Sequence, residues 1–324
     1  MAYNNLISRT DAAALIPEEV SREIIQAVPQ RSAVMRLARR LPNMSRKQFR
    51  MPVMSALVSA YFVDPSDTGA MQTSEVNWSN VYINAEKLAV IVPIPKDVLE
   101  DQDYDLWGEV RPQIDEAFGK AFDAAVLFGA SAPASWPSAI CTAAAAASHN
   151  IDGTPASGDI FDAIMGVGGL IACVEEDGYA VNGYVGALSL RAKLRGLRLP
   201  DGAGNAGKGE PLFRFEMGPQ NATQYSLDGN PIVFPANGAM DASTALLIGG
   251  DWNQLVYSMR SDISYEILTQ SVIQDGSGNI VFNLAQQDMV ALKATMRLGW
   301  QTPNPINRVN PTASTRYPFA YLTP

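Results

Sequence analysis

Residues 106–128 have the sequence LWGEVRPQIDEAFGKAFDAAVLF, which carries the strongest helical pattern in the chain. Apolar side chains recur at intervals of three and four from Leu106 to Val126, and this spacing predicts one amphipathic helix with a buried face. Gly129 is a typical helix stop, and Pro112 predicts a kink or a restart. We interpret the aromatic residues of this stripe as core residues rather than as a cofactor site.

The first fifth of the chain has a different charge from the rest. Residues 1–63 contain nine Lys and Arg against four Asp and Glu, although the 324-residue chain has a net charge of −9. Two helices are predicted here, one over about 16–28 with Pro17 in its first turn and one over about 33–41 with Ser32 as its N-cap. Between Glu23 and Asp64 there is no acid at all, so this region is a basic arm. Its charge fits either a protein partner or a loose surface facing nucleic acid.

The segment between the basic arm and the long helix is rich in β-formers. Residues 49–63 and 76–94 flank the turn-forming sequence DPSDTGAMQTS and predict a long projecting hairpin. Val76 and Trp78 are out of phase with the residues that follow, which predicts a bulge near Asn80. A two-stranded ribbon is marginal in water, so we expect this hairpin to lie on a neighbouring surface.

The remainder of the chain predicts a mixed domain of helices and strands. The expected elements are a helix over 159–176 ended by Gly178, a basic helix after Ser189, strands at 231–235 and 245–249, and two β arms at 263–273 and 279–284 around a turn at Asp275.

Composition excludes several classes of protein. With 47% hydrophobic residues the chain can bury a large core, and no apolar run reaches the roughly 18 residues of a membrane helix. We therefore expect a soluble intracellular protein without a membrane partner. His149 is the only histidine, and Cys141 and Cys173 are the only cysteines, so we expect no catalytic residues, no metal site and no cofactor. The cysteines are predicted to be small buried hydrophobic residues.

One glycine-rich stretch satisfies a phosphate-loop pattern. Residues 202–208 have the sequence GAGNAGK, but the preceding RLPD is no buried strand and the following GEP cannot begin a helix. A mobile surface loop is therefore the expectation, and an α/β enzyme that binds a nucleotide through Lys208 is an alternative that Lys208→Ala would test. Two acidic runs, 100–105 and 175–177, are predicted to be solvated charge.

The order of these elements resembles the major capsid protein of tailed double-stranded-DNA bacteriophages, which has the Hong Kong 97-type fold. Three parts of the chain carry the resemblance: IPEEVSREIIQAVPQRSAVMRLARRLPN at 16–43, PIPKDVLEDQDYDLWGEVRPQIDEAFGKAFDAAVLFG at 93–129, and the pair ALLIGGDWNQLVYSMRSDISYEIL at 245–268 with NLAQQDMVALKATMRLGW at 283–300. The implied fold class is α+β, and the implied function is an icosahedral head shell that encloses the genome.

The resemblance also implies a division of the chain into named parts. These are an N-terminal arm (1–50), an E-loop hairpin (51–87), a peripheral domain with the spine helix (88–130), an axial domain (131–258), returning peripheral strands (259–300) and a C-terminal axial segment (301–324).

Two departures from the founding member of the family have consequences. That protein joins its subunits by an isopeptide bond from an E-loop lysine to an asparagine of a neighbour, whereas residues 51–86 contain no lysine here. Without the amine nucleophile we expect a noncovalent shell, and a separate cement protein is an additional possibility. The arm helix begins within about sixteen residues of Met1, so we expect any scaffolding protein to be a separate chain.

The charge segregation predicts which residues meet between subunits. Interface candidates are Arg31, Arg36, Arg39, Arg40, Asp64, Asp67, Asp101, Asp103 and Asp275. Expected partners are further copies in hexamers and pentamers, together with portal and scaffolding proteins. DNA is expected to be enclosed without sequence-specific binding, in a virion assembled in the host cytoplasm. An encapsulin, a nanocompartment protein that shares this fold, is the closest alternative.

Overall fold

The computed structural model of the protein describes residues 32–62, 73–101, 106–155, 159–197, 215–217 and 223–324. The helix predicted at about 16–28 and the glycine-rich loop at 202–208 lie outside these residues. Within the described ranges, no helix combines the length and the apolar character needed to cross a bilayer.

Helices and strands are mixed along the described chain. The helices are α1 (Ala33–Leu37), α2 (Lys96–Asp101), α3 (Leu106–Phe128), α4 (Ile140–Ala146), α5 (Ile160–Met165), α6 (Leu170–Glu176) and α7 (Leu190–Gly196), with a 3-10 turn at Trp252–Gln254. The strands are β1 (Arg39–Arg40), β2 (Gln48–Met54), β3 (Trp78–Asn84), β4 (Glu86–Pro95), β5 (Asn150–Ile151), β6 (Gly183–Gly186), β7 (Phe215–Met217), β8 (Thr223–Leu227), β9 (Asn230–Val233), β10 (Leu247–Gly250), β11 (Val256–Leu268), β12 (Val272–Gln274), β13 (Ile280–Asn283), β14 (Met289–Gln301) and β15 (Phe319–Leu322). This content is that of the α+β class.

One sheet packs on the long helix. Its strand order is β1-β11-β14-β4, and β11 pairs with β14 in antiparallel fashion along most of its length. Alternate residues of β14, among them Leu292 and Met296, are buried in one core with Phe118 and Phe122 of α3. The helix α3 has the predicted bounds and continues through Pro112. The aromatic stripe is therefore core, as its spacing predicts.

The second sheet builds the other half of the molecule. Its strand order is β5-β15-β10-β6-β9-β8-β7, and β6, β10 and β15 are buried at every position because helices and loops cover both faces. Helix α6 lies close to this sheet at Gly249, where an added Cβ would be 2.6 Å from the side chain of Leu170. Glycine is required there by the close approach.

The hairpin formed by β2 and β3 is shorter than predicted. Its second arm ends at Asn84, and the chain passes through the buried Ala85 into β4, which joins the first sheet. The seven residue pairs of the hairpin have no register shift, so the bulge predicted near Asn80 is wrong. Trp78 is out of phase with Ile83 because the two side chains point to opposite faces of the ribbon.

Other predicted boundaries also change. The helix expected over 159–176 is two helices, α5 and α6, since Gly166 ends the first and Gly168 has a φ of +74°. The helix α1 ends at Leu37 rather than near 41, because Ala38 is extended and β1 pairs in parallel with β11. The arm predicted at 263–273 is the end of the long strand β11, which stops at Leu268, and β12 and β13 form a separate small ribbon.

Candidate subunit-interface surfaces

The basic segment, residues 36–50, carries exposed arginines. Its arginines at positions 36, 39, 40, 46 and 50 are all exposed, and none of them forms an ion pair within the described residues. Arg40 donates to the Asn43 side-chain oxygen at 3.2 Å, and the Lys47 ammonium lies 3.7 Å from the carboxylate of Glu86. The segment therefore presents cations that an acidic partner could bind.

The residues just before the basic segment, 32–34, are held by a buried carboxylate, a feature we call the arm anchor. Asp123 of α3 is fully buried and accepts hydrogen bonds from the Ser32 hydroxyl and from the backbone N–H groups of Ala33 and Val34, the latter two at 2.8 and 3.1 Å. Burial raises the pKa of Asp123, although these hydrogen bonds favour its charged form. A Cβ on Gly119 would lie 3.0 Å from the backbone nitrogen of Ser32, so the chain crosses α3 in close contact.

One face of the β2–β3 hairpin is exposed and carries apolar and aromatic side chains together with an arginine. Cross-strand pairs on this face join Arg50 with Tyr82 and Met54 with Trp78, and Trp78 is 66% exposed. The other face carries Ile83, which is fully buried. Aromatic and aliphatic side chains exposed together are typical of a surface that binds another protein.

The end of β14 and the chain that follows it contact the hairpin. Hydrogen bonds between them run from Gln301 Nε2 to the Tyr82 carbonyl at 3.2 Å, from the Ile306 N–H to the Met54 carbonyl at 3.4 Å, and from Arg308 Nη2 to the Val58 carbonyl at 2.8 Å. The expectation of a neighbouring surface is therefore met in part by the same chain, and the exposed face is what remains for another copy.

The acidic interface candidates are distributed unevenly. Asp275 lies in the turn between β12 and β13. The hydrogen bond from the Asn279 side chain lowers the pKa of Asp275 most, and the hydrogen bond from the Asn279 backbone N–H lowers it further. Asp101 is the last residue of α2. Arg31, Asp64, Asp67 and Asp103 lie outside the described residues. Within the described part of one chain, Asp275 forms no ion pair with an arginine, so pairing with a neighbour stays a prediction.

Asp177 was predicted to be solvated, and this is wrong. It is only 5% exposed, and its carboxylate accepts from Asn310 Nδ2 at 2.7 Å and from the Tyr317 N–H at 2.7 Å, and lies 3.2 Å from His149 Nε2. The other nitrogen of the His149 ring lies 3.1 Å from the Phe319 carbonyl. The single histidine is therefore held between two oxygen acceptors and ties late chain segments to α6.

A signal for this role was present in the sequence. Asp177 is the C-cap of α6, where a negative charge opposes the helix dipole. An acid at this position, just before a glycine, indicates a stabilising partner elsewhere. The partners at 307–317 could not be foreseen because they are 130 or more residues away in the chain.

The described residues offer little for chemistry. Burial raises the pKa of the Cys141 thiol to about 12, which keeps the sulfur protonated and unreactive. No group of three His, Cys, Asp or Glu that could hold a metal ion occurs in the described residues. Both ring nitrogens of His149 lie within hydrogen-bonding distance of protein oxygen atoms.

Comparison with known proteins agrees with this arrangement. The model of the phage capsid family matches residues 12–306. The major capsid protein of Staphylococcus phage 80alpha is 27% identical over 299 residues, which cover 91% of this chain and 84% of that protein. A solved structure from Microbacterium phage Oxtober96 is 32% identical with a TM-score of 0.80, covering 99% of this chain and 100% of the other. One from Mycobacterium phage Cain is 30% identical with a TM-score of 0.81, covering 99% of each.

The chain belongs to the phage capsid family and has its Hong Kong 97-like α+β fold. It is a major capsid protein, which forms the head shell of a tailed phage and is found in the virion. Proteins of this family assemble into multimeric icosahedral shells. The encapsulin and the nucleotide-binding enzyme are not favoured by these relatives.

Proposed function

We propose that this subunit closes its shell without covalent crosslinks. Residues 51–86 contain no lysine, so the hairpin cannot supply the amine that an isopeptide bond requires. The observation that carries the proposal is the exposed hairpin face with Met54 and Trp78, which can bury apolar surface on a neighbour instead. Many modest contacts suffice, because closure of a shell makes each later contact nearly intramolecular.

The test is expression of the chain, alone and with a scaffolding protein, followed by electron microscopy and denaturing gel electrophoresis. We expect closed particles that dissolve to single-chain bands. Covalent ladders from such particles would contradict the proposal.

The hairpin face has its own test. Trp78→Ala should raise the protein concentration needed for assembly about tenfold or more, because a large exposed aromatic residue is the kind of side chain that dominates interface energies. Val167→Ala is the matched control, since Val167 is a fully exposed apolar residue of the axial half. Equal assembly by both variants would show that the hairpin face does not bind a neighbour.

The second contact we propose joins the basic segment to acids of adjacent subunits. Arg31, Arg36, Arg39 and Arg40 would meet the acidic run 100–105, which includes Asp101 and Asp103, or Asp64 and Asp67 of the hairpin tip, with Asp275 as a further acidic candidate. Support comes from the exposure of the described arginines and from the absence of ion pairs to them within the described residues. Such contacts steer association and weaken with salt.

Charge reversal tests this contact. Arg39→Glu with Arg40→Glu should abolish particles and leave the subunit folded, as judged by circular dichroism. The control is Lys193→Glu with Arg195→Glu on α7, which changes the net charge equally at another exposed place. Loss of particles in both variants would mean that net charge, and not this contact, controls assembly.

We also propose the division of the chain into parts that the resemblance implies. The arm (1–50), E-loop (51–87), peripheral domain (88–130 and 259–300), axial domain (131–258) and C-terminal axial segment (301–324) follow the family plan. The described sheets fit it, since β4, β11 and β14 share one sheet and β6, β10 and β15 the other.

The remaining partners follow from the same role. We propose that hexamers and pentamers form the shell in the host cytoplasm, with separate scaffolding and portal proteins and a cement protein as an additional component. The subunit acts as a structural protein without catalysis. Outside residues 1–63 the chain has a net charge of −14, so the wall would repel rather than bind the enclosed DNA.

A further inference from the structure

We propose that residues 304–317 form a strap which couples a buried clasp in the axial half of the subunit to the position of the E-loop hairpin. The clasp consists of Asp177 and the groups that donate to it. The strap begins beside the hairpin, passes the clasp and ends next to β15. This coupling is a property of the single chain and goes beyond the assembly contacts proposed above.

The clasp holds the strap at several points. The Asp177 carboxylate accepts from the Asn310 side chain and from the Tyr317 N–H, both at 2.7 Å, and its backbone carbonyl accepts from Asn307 Nδ2 at 2.6 Å. His149 Nε2 lies 3.2 Å from the same carboxylate. Hydrogen bonds to a buried carboxylate are the strong class, so this one side chain fixes the middle of the strap at Asn310 and its end at Tyr317.

The strap is itself stiffened by a buried arginine. Arg316 is 3% exposed and its guanidinium donates to three oxygens of the strap: the side-chain oxygen of Asn304 at 3.1 Å, the Asn304 carbonyl at 3.1 Å and the Asn310 carbonyl at 2.8 Å. Tyr179, two residues after Asp177, donates its hydroxyl to Asn304 at 2.8 Å. A segment without helix or strand is thus held in one shape by side chains.

The other side of the strap contacts the hairpin backbone. Ile306 N–H donates to the Met54 carbonyl, and the Arg308 guanidinium donates to the Val58 carbonyl at 2.8 Å. Ile306 and Arg308 flank Asn307, which is bound to Asp177. Neighbouring residues of one extended segment therefore bind the hairpin and the clasp at once. A displacement of the clasp must then displace the hydrogen bonds between the strap and the hairpin.

Hydrogen exchange on the full, unassembled chain tests the coupling. Asp177→Asn keeps the shape of the side chain but places an NH2 group against donors. We expect exchange of the Tyr317 amide to rise about tenfold to a hundredfold, because this buried donor loses its carboxylate acceptor. Exchange of the Ile306 amide should rise with it, because the loosened strap no longer holds Ile306 against the Met54 carbonyl. We also expect faster exchange at Ser55 and Ala56, whose N–H groups donate to Asn77 within the hairpin.

A matched control is Asp251→Asn. The carboxylate of Asp251 also accepts several hydrogen bonds in the axial half, from Asn182, Asn253 and Gln254, but none of these donors belongs to the strap. We expect no change at Ser55 and Ala56. Arg308→Ala should loosen the hairpin and leave the Tyr317 amide protected, since the clasp is untouched.

The outcomes separate clearly. Faster exchange in the strap with an unchanged hairpin in Asp177→Asn would overturn the coupling, and an unchanged strap would overturn the clasp. If Asp177→Asn unfolds the chain, Asn310→Ala removes one donor and leaves the carboxylate in place. Exchange of the Ile306 amide then reports on the strap, and exchange of the Ser55 and Ala56 amides reports on the hairpin. No particle is needed, so failure of this inference is distinguishable from failure of the proposed assembly contacts.

Discussion

Replacement of Asp123 by alanine should release the start of α1 from α3. The carboxylate is the acceptor for three groups, namely the Ser32 hydroxyl and the N–H groups of Ala33 and Val34. Three buried hydrogen bonds at about 1 to 1.5 kcal/mol each give a loss of about 3 to 4.5 kcal/mol. These values lie at or below the lower limit for charged acceptors, because the substitution also removes the cost of burying the carboxylate.

Denaturant unfolding of the unassembled chain, together with hydrogen exchange of α1, measures this effect. Because Ala33 and Val34 are buried, part of the loss should appear as faster exchange at their amides. Asp115→Ala is the control on the same helix, since Asp115 is exposed and accepts from the Tyr265 hydroxyl at the surface, and it should cost less than about 1 kcal/mol. A change below about 1 kcal/mol in Asp123→Ala, with α1 still protected, would refute the arm anchor.

Three further predictions concern buried groups. Gly119→Ala should lower the free energy of unfolding by about 1 kcal/mol in the same assay. Crowding of the new Cβ against Ser32 costs about 1 to 3 kcal/mol, which exceeds the gain of about 1 kcal/mol in helix propensity. A more stable variant would contradict the close contact. Burial raises the pKa of Asp123, so the folded chain holds its proton at a pH where the unfolded chain has lost it. Stability from this group must then fall as the pH rises from the ordinary value of 3.8 through the raised pKa, and Asp123→Asn should remove that slope in denaturation at several pH values. With the pKa of Cys141 at about 12, its thiol should resist iodoacetamide at pH 8 in the folded chain and react on unfolding; rapid labelling read by mass spectrometry would contradict its burial.

The local patterns of the chain were sufficient for its strongest elements. Helix α3 has the bounds that its apolar spacing and Gly129 predict, and the Ser32 cap begins α1 as expected. These features depend on residues a few positions apart, so the sequence contains them directly. Membership of the phage capsid family and the α+β class were likewise predictable from three stretches in a fixed order.

Features that depend on distant residues were not predictable. The sequence predicts β4 as part of the hairpin, because its alternation of apolar and polar residues resembles that of β3. Its place in the first sheet depends on pairing with β14, which is distant in the sequence. The role of Asp177 arises from partners more than 100 residues later. Of the interface candidates, the described arginines are exposed as required, but whether they meet acids of a neighbour depends on a second copy of the chain.

The position of β15 has a consequence for when this protein can fold. Residues 319–322 lie between β10 and β5 in the second sheet, and Tyr321 is opposite Asn150, so the sheet joins segments separated by about half of the chain. During synthesis, a ribosome must release almost all of the described chain before this strand can enter its place. Long-range pairing of this kind is slow, and until it occurs β10 has an open edge. A translation product that stops before residue 319 would keep that edge permanently, which makes aggregation rather than incorporation into a head its expected fate.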